Sequence, residues 1–378
     1  MPRGFQIGCL RMTNSVIQGL PRWTLAVPPL AFVVLAGTWH RDLGAVLLIL
    51  VCLGLGAAVI AAVHHAEVVA HRVGEPFGTL ILALAVTIIE VALIVTLMAS
   101  GGEKAASLAR DTVFAAVMIT CNGILGLALV VGSLRHRVQE FRVQASYSAL
   151  SVTTALVTLS LVLPTFTTSA PGPQFSSAQL AFAGVTSLVM YGVFVFIQTI
   201  RHRDYFLPVA PDGEVDEDED HHAAAPSGKT ALLSLGLLFV CLVSVVGLAK
   251  TVSPKLESAV ESAGAPLAVV GVVIALLVLL PETVAAVRAA LRNRLQTSVN
   301  LALGSALASI GLTIPAIAIA SIWLSGPLVL GLGGKELVLF ALTVVTGMFT
   351  LSTGRATLLQ GAVHLAVFSA FLFLAVSP

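Results

Sequence analysis

Apolar residues in this chain fall in long unbroken runs separated by short polar breaks, and the runs recur from one end to the other. A helix needs about 20 apolar residues to cross the hydrocarbon core of a bilayer. Eleven runs meet or approach that length, at residues 24–39, 43–63, 77–98, 112–134, 145–164, 178–200, 230–249, 265–287, 298–324, 335–352 and 356–376. Their apolarity is continuous and does not alternate, which excludes the strands of a membrane barrel. The first run is the weakest, with Pro28 and Pro29 in its middle. The pattern predicts an all-α integral membrane protein of about eleven transmembrane helices. An N-terminal segment with the first helix (1–42) precedes a five-helix repeat (43–200), a linker (201–229) and a second five-helix repeat (230–378).

Composition agrees. Only 10% of the 378 residues are charged and 57% are hydrophobic, whereas a soluble domain carries about 25% charged residues to solvate its surface. A soluble enzyme, a nucleic-acid binder and a disordered scaffold are thereby excluded. The net charge of +1 says little by itself, but its distribution orients the chain. With the N-terminus inside, six of the 20 basic residues fall in outer segments: Arg41, Lys104, Arg110, Lys250, Lys255 and Lys335. The other fourteen are inside, which predicts a cytoplasmic N-terminus, an outer C-terminus and an inner (plasma) membrane location. Cys9, Cys52, Cys121 and Cys241 form no CxxC pair and read as small buried hydrophobes. The oligomeric state is not legible.

Between the sixth and seventh runs, Asp212 to Asp220 reads DGEVDEDED, followed by His221 and His222. Such a block of like charge reads as a solvated linker, with a cation-recruiting loop as the sharper alternative. The Gly228-Lys229-Thr230 that follows mimics the end of a phosphate-binding loop. The first glycine of that motif is replaced by Ala223, and a membrane span follows directly, so ATP binding is not expected.

Of the nineteen acids, Glu90 and Glu282 alone lie well inside apolar runs, in TIIEVALI (Thr87 to Ile94) and VLLPETVAAV (Val278 to Val287). An ionisable group at that depth costs about 2.5 to 3.5 kcal/mol on insertion and marks a site by default. The two are related. Each sits on the first helix of a pair whose second helix is lined with small and hydroxyl side chains, RDTVFAAVMITCNGILG (Arg110 to Gly126) and LQTSVNLALGSALASIG (Leu295 to Gly311). Five spans separate the two Glu-bearing helices, so the second copy is inverted relative to the first. Inverted repeats place corresponding residues at a shared midplane site in many secondary transporters.

Helical spacing extends the candidate set. Ser298, Ser305, Ser309 and Thr313 share one face of the ninth span, while Asn300, Gly304, Gly311 and Pro315 share the opposite face. Asn122, with Met118 and Gly126, makes a similar stripe on the fourth. Thr87 precedes Glu90 by one turn. A hydroxyl stripe serves equally as helix–helix glue. Pro281 removes an intrahelical bond and predicts a kink beside Glu282, with a freed carbonyl at Leu277. At 1.5 Å per residue, Glu282 lies about 25 Å along its run and Glu90 about 18 Å along its own. A kink or unequal tilt would reconcile those depths.

Two carboxylates that hold two protons make a neutral site, and so does one Ca²⁺ on two carboxylates, since hard divalent ions take oxygen ligands. The empty, doubly charged state crosses a low-dielectric barrier poorly. That asymmetry favours exchange over leak. Na⁺ or K⁺ would be neutralised only if one Glu kept a proton.

At these residues the chain resembles the cation/Ca²⁺ exchanger superfamily, within it the ChaA-type bacterial proton antiporters. His64 to Ile94 (HHAEVVAHRVGEPFGTLILALAVTIIEVALI) is similar to the first signature of that subfamily, and Asn293 to Pro315 (NRLQTSVNLALGSALASIGLTIP) to the second. The resemblance implies Ca²⁺/H⁺ exchange, with Na⁺/H⁺ and K⁺/H⁺ exchange within the subfamily, and no cofactor beyond the transported ions. It carries the repeat Glu onto Glu90 and Glu282, and the polar partner residues onto Asn122 and onto Ser305 or Ser309. The G-N-x-x-E arrangement of much of the superfamily is absent. Val86 and Thr87 precede Glu90, Leu279 and Leu280 lie around the second site, and Ser309 stands where an amide is usual. Fewer oxygen ligands keep monovalent exchange open. The expected metal-site residues are therefore Glu90, Glu282, Asn122, Ser305, Ser309 and Thr87. Glu90 and Glu282 would also couple protons, and membrane lipids, cations and protons would be the partners.

His64, Glu67 and His71 share a helical face at the cytoplasmic entry, read as an interfacial polar face, a metal site or a pH sensor. The rival class they raise, an intramembrane metallohydrolase, needs H-E-x-x-H, and His65-x-Glu67-x-x-x-His71 lacks that spacing. A non-transporting receptor or scaffold would explain the helices but not two repeated buried acids.

Overall fold

The structure, a computed structural model, describes residues 20–39, 41, 44–74, 77–101, 105–207, 226–262, 264–324 and 326–378. The acidic block Asp212 to Asp220, with His221 and His222, lies outside the described residues, as does Cys9. In chain order the long helices are α1 (Arg22–Thr38), α2 (Ala45–Val73), α3 (Phe77–Gly101) and α4 (Leu108–Met118). A π-helical turn (Ile119–Ile124) joins α4 to α5 (Leu125–His136). Then come α6 (Val143–Val157), α7 (Ser177–Phe196), α8 (Gly228–Ser262), α9 (Ala268–Val278), α10 (Leu280–Leu291), α11 (Leu295–Ala320), α12 (Gly334–Leu351) and α13 (Leu358–Val376).

Among the described residues, eight helices are long and apolar enough to cross a membrane, and the bent pair α9–α10 makes nine. Length and composition thus do not reach the expected eleven. The window at 24–39 holds a shorter apolar helix, α1, whereas that at 77–98 is covered by the 25-residue α3. Seventeen helical residues rise about 25 Å, less than the hydrocarbon thickness of about 30 Å. Cys52 also departs from expectation. It is exposed, whereas Cys121 and Cys241 are buried as read.

The chain divides into two compact units, residues 1–89 with 215–252, and residues 90–214 with 253–378. In the first, α1 packs on α2. His65, fully buried on α2, hydrogen-bonds the Thr24 carbonyl through Nε2 at 2.9 Å. Gly247 of α8 admits Leu35 so closely that a Cβ there would stand 2.5 Å from its methyl.

In the second unit, the fourth and ninth spans form the centre. In α4 through α5, 89% of the most apolar window is buried, and 56% in α11, against 28–44% for α6, α7, α12 and α13. Large apolar side chains such as Phe182, Phe349 and Phe373 stand exposed on those outer helices, as a lipid-facing surface requires. Small residues set one of the helix contacts here. Gly311 faces the Tyr191 Cβ and Gly184 faces Pro315, seating α7 against α11, whereas Gly304 meets nothing and Asn300 donates to the Phe206 carbonyl at 2.7 Å. Helix α13 approaches the backbone of α5 closely, with the position of a Gly361 Cβ 2.7 Å from the Val130 backbone nitrogen. Gly361→Ala is therefore expected to destabilise the fold by about 1–3 kcal/mol, because backbone must move. Thermal unfolding in detergent measures it, and an unchanged midpoint would contradict the close approach.

Loops at opposite ends of these helices form two separate hydrogen-bonded sets. At one end, Gln139 donates to the Ala290 carbonyl and the Asn293 side chain, and the Gln296 side chain accepts from Arg142 N–H. At that same end a two-residue antiparallel bridge pairs β1 (Gln139–Glu140) with β2 (Arg355–Ala356). At the other end, Val329 N–H donates to Ala106 and Leu332 N–H to Leu161. Arg110 reaches the Gly331 carbonyl there. Each set joins loops that span alternation places on one membrane side.

Candidate cation site

Glu90 lies in the middle of α3 and is 4% exposed. Ser309, on α11, donates its hydroxyl to Glu90 Oε1 at 2.8 Å. Thr313, one turn farther along α11, lies beside the same carboxylate, and its buried hydroxyl has no other partner among the described residues. Thr87 is buried one turn before Glu90 on α3, and Ser305 is half-buried one turn before Ser309 on α11. Carboxylate and hydroxyl oxygens are hard ligands that suit protons, Na⁺, K⁺ or Ca²⁺ and not soft metals.

Glu282 is half-buried in the first turn of α10. The expected kink at Pro281 is a complete break. Helix α9 ends at Leu279 (φ −87, ψ 2), and α10 restarts with Pro281 in its first turn at 52° to α9. Proline suits that position because the first-turn N–H it lacks has no intrahelical acceptor. Glu282 consequently stands at the positive end of the α10 dipole, where a negative charge is favoured.

The remaining predicted residues separate. Ser298 donates to the Ala286 carbonyl at 2.7 Å and ties α10 to α11 as glue. Asn122 lies in the π-helical turn, and its side chain bonds residues on α12 and α13. Its Nδ2 donates to Thr343 Oγ1 at 2.9 Å, while Oδ1 faces His364 Nδ1 at 3.1 Å. His364 Nε2 in turn meets Thr350 Oγ1 at 3.0 Å. Sequence reasoning that weighed only acids missed His364, although the cost of burying an ionisable group inside a span singles it out by the same logic.

Of the entry face, His64 Nδ1 stands 3.9 Å from Glu67 Oε2, and His71 is exposed. Among the described residues, no group of three or more His, Cys, Asp or Glu could hold a metal ion. His65 is committed to Thr24, so the hydrolase arrangement of His65, Glu67 and His71 is not assembled.

Comparison with known proteins bears on this geometry. The family described as "Sodium/calcium exchanger protein" matches residues 43–200 and 233–377. The candidate ionic transporter y4hA of Sinorhizobium fredii is 50% identical over 367 residues, covering 95% of this chain and 97% of that one. The sodium-potassium/proton antiporter ChaA of Escherichia coli is 36% identical over 353 residues, covering 92% and 94%. Among solved structures, the H⁺/Ca²⁺ exchanger CAX superposes with a TM-score of 0.68 at 16% identity, covering 93% of this chain and 87% of that one. At that identity the likeness concerns fold alone. With two matched segments that span most of its length, and a fold shared with a solved exchanger, the chain belongs to the sodium/calcium exchanger family of membrane cation exchangers.

Proposed function

We propose that the protein is a secondary antiporter that exchanges Ca²⁺ for protons by alternating access, with Glu90 and Glu282 taking ion and proton in turn. The observation that carries this reading is the buried Glu90 carboxylate, met by the Ser309 hydroxyl and, among the described residues, by no cationic side chain. A buried carboxylate needs a compensating charge, and a transported cation or proton supplies it. Thr87, Ser305, Ser309 and Asn122 would add oxygen ligands. In this reading residues 43–200 and 230–378 are inverted repeats around the site, and 201–229 is the acidic linker between them. The basic-residue bias supports an inner-membrane protein with a cytoplasmic N-terminus and an outer C-terminus.

Charge balance favours a divalent ion, since Ca²⁺ on two carboxylates and two protons on two carboxyls are both neutral. A second reading, Na⁺/H⁺ or K⁺/H⁺ exchange, is favoured by one observation. Hydroxyls stand at Thr87 and Ser309 where much of the resembled superfamily has amides, and the Escherichia coli relative is named for sodium and potassium. Purified protein in liposomes with an imposed pH gradient tests both. Dissipation on adding Ca²⁺ alone, absent in Glu282→Gln, is the expected result. Dissipation by Na⁺ or K⁺ alone would replace the divalent reading with one in which a Glu keeps its proton. No response to any of the three would overturn cation/proton exchange.

A further inference from the structure

A hydrogen-bonded chain buried between the π-helical turn, α12 and α13 has a single consistent direction. Thr343 Oγ1 donates to the Leu339 carbonyl at 2.8 Å, so its lone pair must accept from Asn122 Nδ2. That places Asn122 Oδ1, an acceptor, against His364 Nδ1. Nδ1 therefore carries a proton, and in the neutral ring Nε2 accepts from Thr350 Oγ1. Asn122, Thr343, His364 and Thr350 are all buried, with His364 1% exposed, and in lipid no water would replace a lost partner.

The backbone is built for this contact. A Cβ on Gly126 would stand 2.9 Å from the His364 Cβ, and Gly361 lets α13 approach α5 one turn earlier. In the π-helical turn, Thr120 Oγ1 bonds back to the Ala116 and Val117 carbonyls. Asn122 is thus clamped from two sides, by a hydroxyl on α12 and a ring on α13. The turn that carries it also packs on α11, the helix that carries Ser309.

We propose that His364 is a positioning residue that fixes the orientation of the Asn122 amide through Nδ1–H···Oδ1, leaving the second lone pair of Oδ1 for a cation. This rests on the reading of Asn122 as a cation ligand. Hydrogen bonds that orient a ligand group are worth about 10- to 100-fold in cation affinity. His364 acts through Asn122 and does not touch the ion.

The test compares apparent cation KM and maximal rate in liposomes for six proteins: wild type, His364→Leu, His364→Gln, Thr343→Val, Asn122→Ala and the Asn122→Ala/His364→Leu double variant. Ca²⁺, Na⁺ or K⁺ is used, whichever drives the wild type. His364→Leu is expected to raise KM about 10-fold with little change in maximal rate. His364→Gln, whose amide N–H can still donate to Asn122, should stay within about 3-fold. Thr343→Val, which releases the other clamp without altering the ring, should shift KM in the same direction. In the Asn122→Ala background, His364→Leu should add nothing, because the two act as one unit. An unchanged KM in His364→Leu or Thr343→Val, equal impairment in His364→Gln and His364→Leu, or additivity with Asn122→Ala would each overturn the proposal. A normal KM in Asn122→Ala removes the ligand reading itself, and the positioning role falls with it. A raised KM in Asn122→Ala beside a normal one in His364→Leu removes the positioning role alone.

Discussion

Glu90→Gln is expected to abolish cation-driven proton movement, by more than about 100-fold in initial rate, while leaving the folded protein intact. The argument is one of charge. Glutamine keeps the size and one carbonyl oxygen of the side chain and can still accept from Ser309, so the packing around residue 90 is preserved. It carries no negative charge and releases no proton. A cation entering the site would then meet one carboxylate fewer, an uncompensated buried charge costing about 3–5 kcal/mol. Two to three decades of rate follow at about 1.4 kcal/mol per decade. The measurement is the pH-gradient assay beside a thermal unfolding curve. Wild-type turnover in Glu90→Gln would remove Glu90 from the mechanism.

Glu282→Gln should lose activity on the same scale, for a related reason with a different local origin. Glu282 stands in the first turn of α10, just after the helix break, at the positive end of the helix dipole. A carboxylate there is an acidic oxygen ligand for a cation. Glutamine is dipole-compatible but uncharged, so the helix should persist and the cation should lose its second counter-charge. If the two carboxylates form one site, the double substitution will be no worse than either alone, since each already breaks neutrality. A Glu282→Gln protein with normal exchange would confine the ion to Glu90 and rule out the two-carboxylate site.

Much of this protein was legible before its structure. A bilayer requires contiguous apolar stretches, so each long helix of the structure overlaps a run read from the chain, although α2 and α8 extend ten or more residues past theirs. Loop pairing such as Gln139 with Ala290 agrees with the predicted alternation. Glu90 and Glu282 stood out because an ionisable group in an apolar run is costly wherever the helices go. Pro281 marked the position of the α9–α10 break for a local steric reason, although its full extent, a 52° bend, was not evident from the residue alone.

Other features depended on contacts that no local pattern encodes. Ser298 and Ser309 share one helical face, yet one serves the Ala286 carbonyl and the other the Glu90 carboxylate. The difference lies in which helix crosses α11 at each height. Asn122 meets residues 221 and 242 positions away, and the π-helical turn that carries it has the same apolar pattern as ordinary α-helix. The sequence by itself therefore determined where the chain is apolar, where charge is buried and where a helix must break, because those are costs each residue bears alone. Only the tertiary structure decided which oxygen meets which carboxylate, and that His364 holds Asn122, because hydrogen bonds between helices depend on packing distances set by distant glycines.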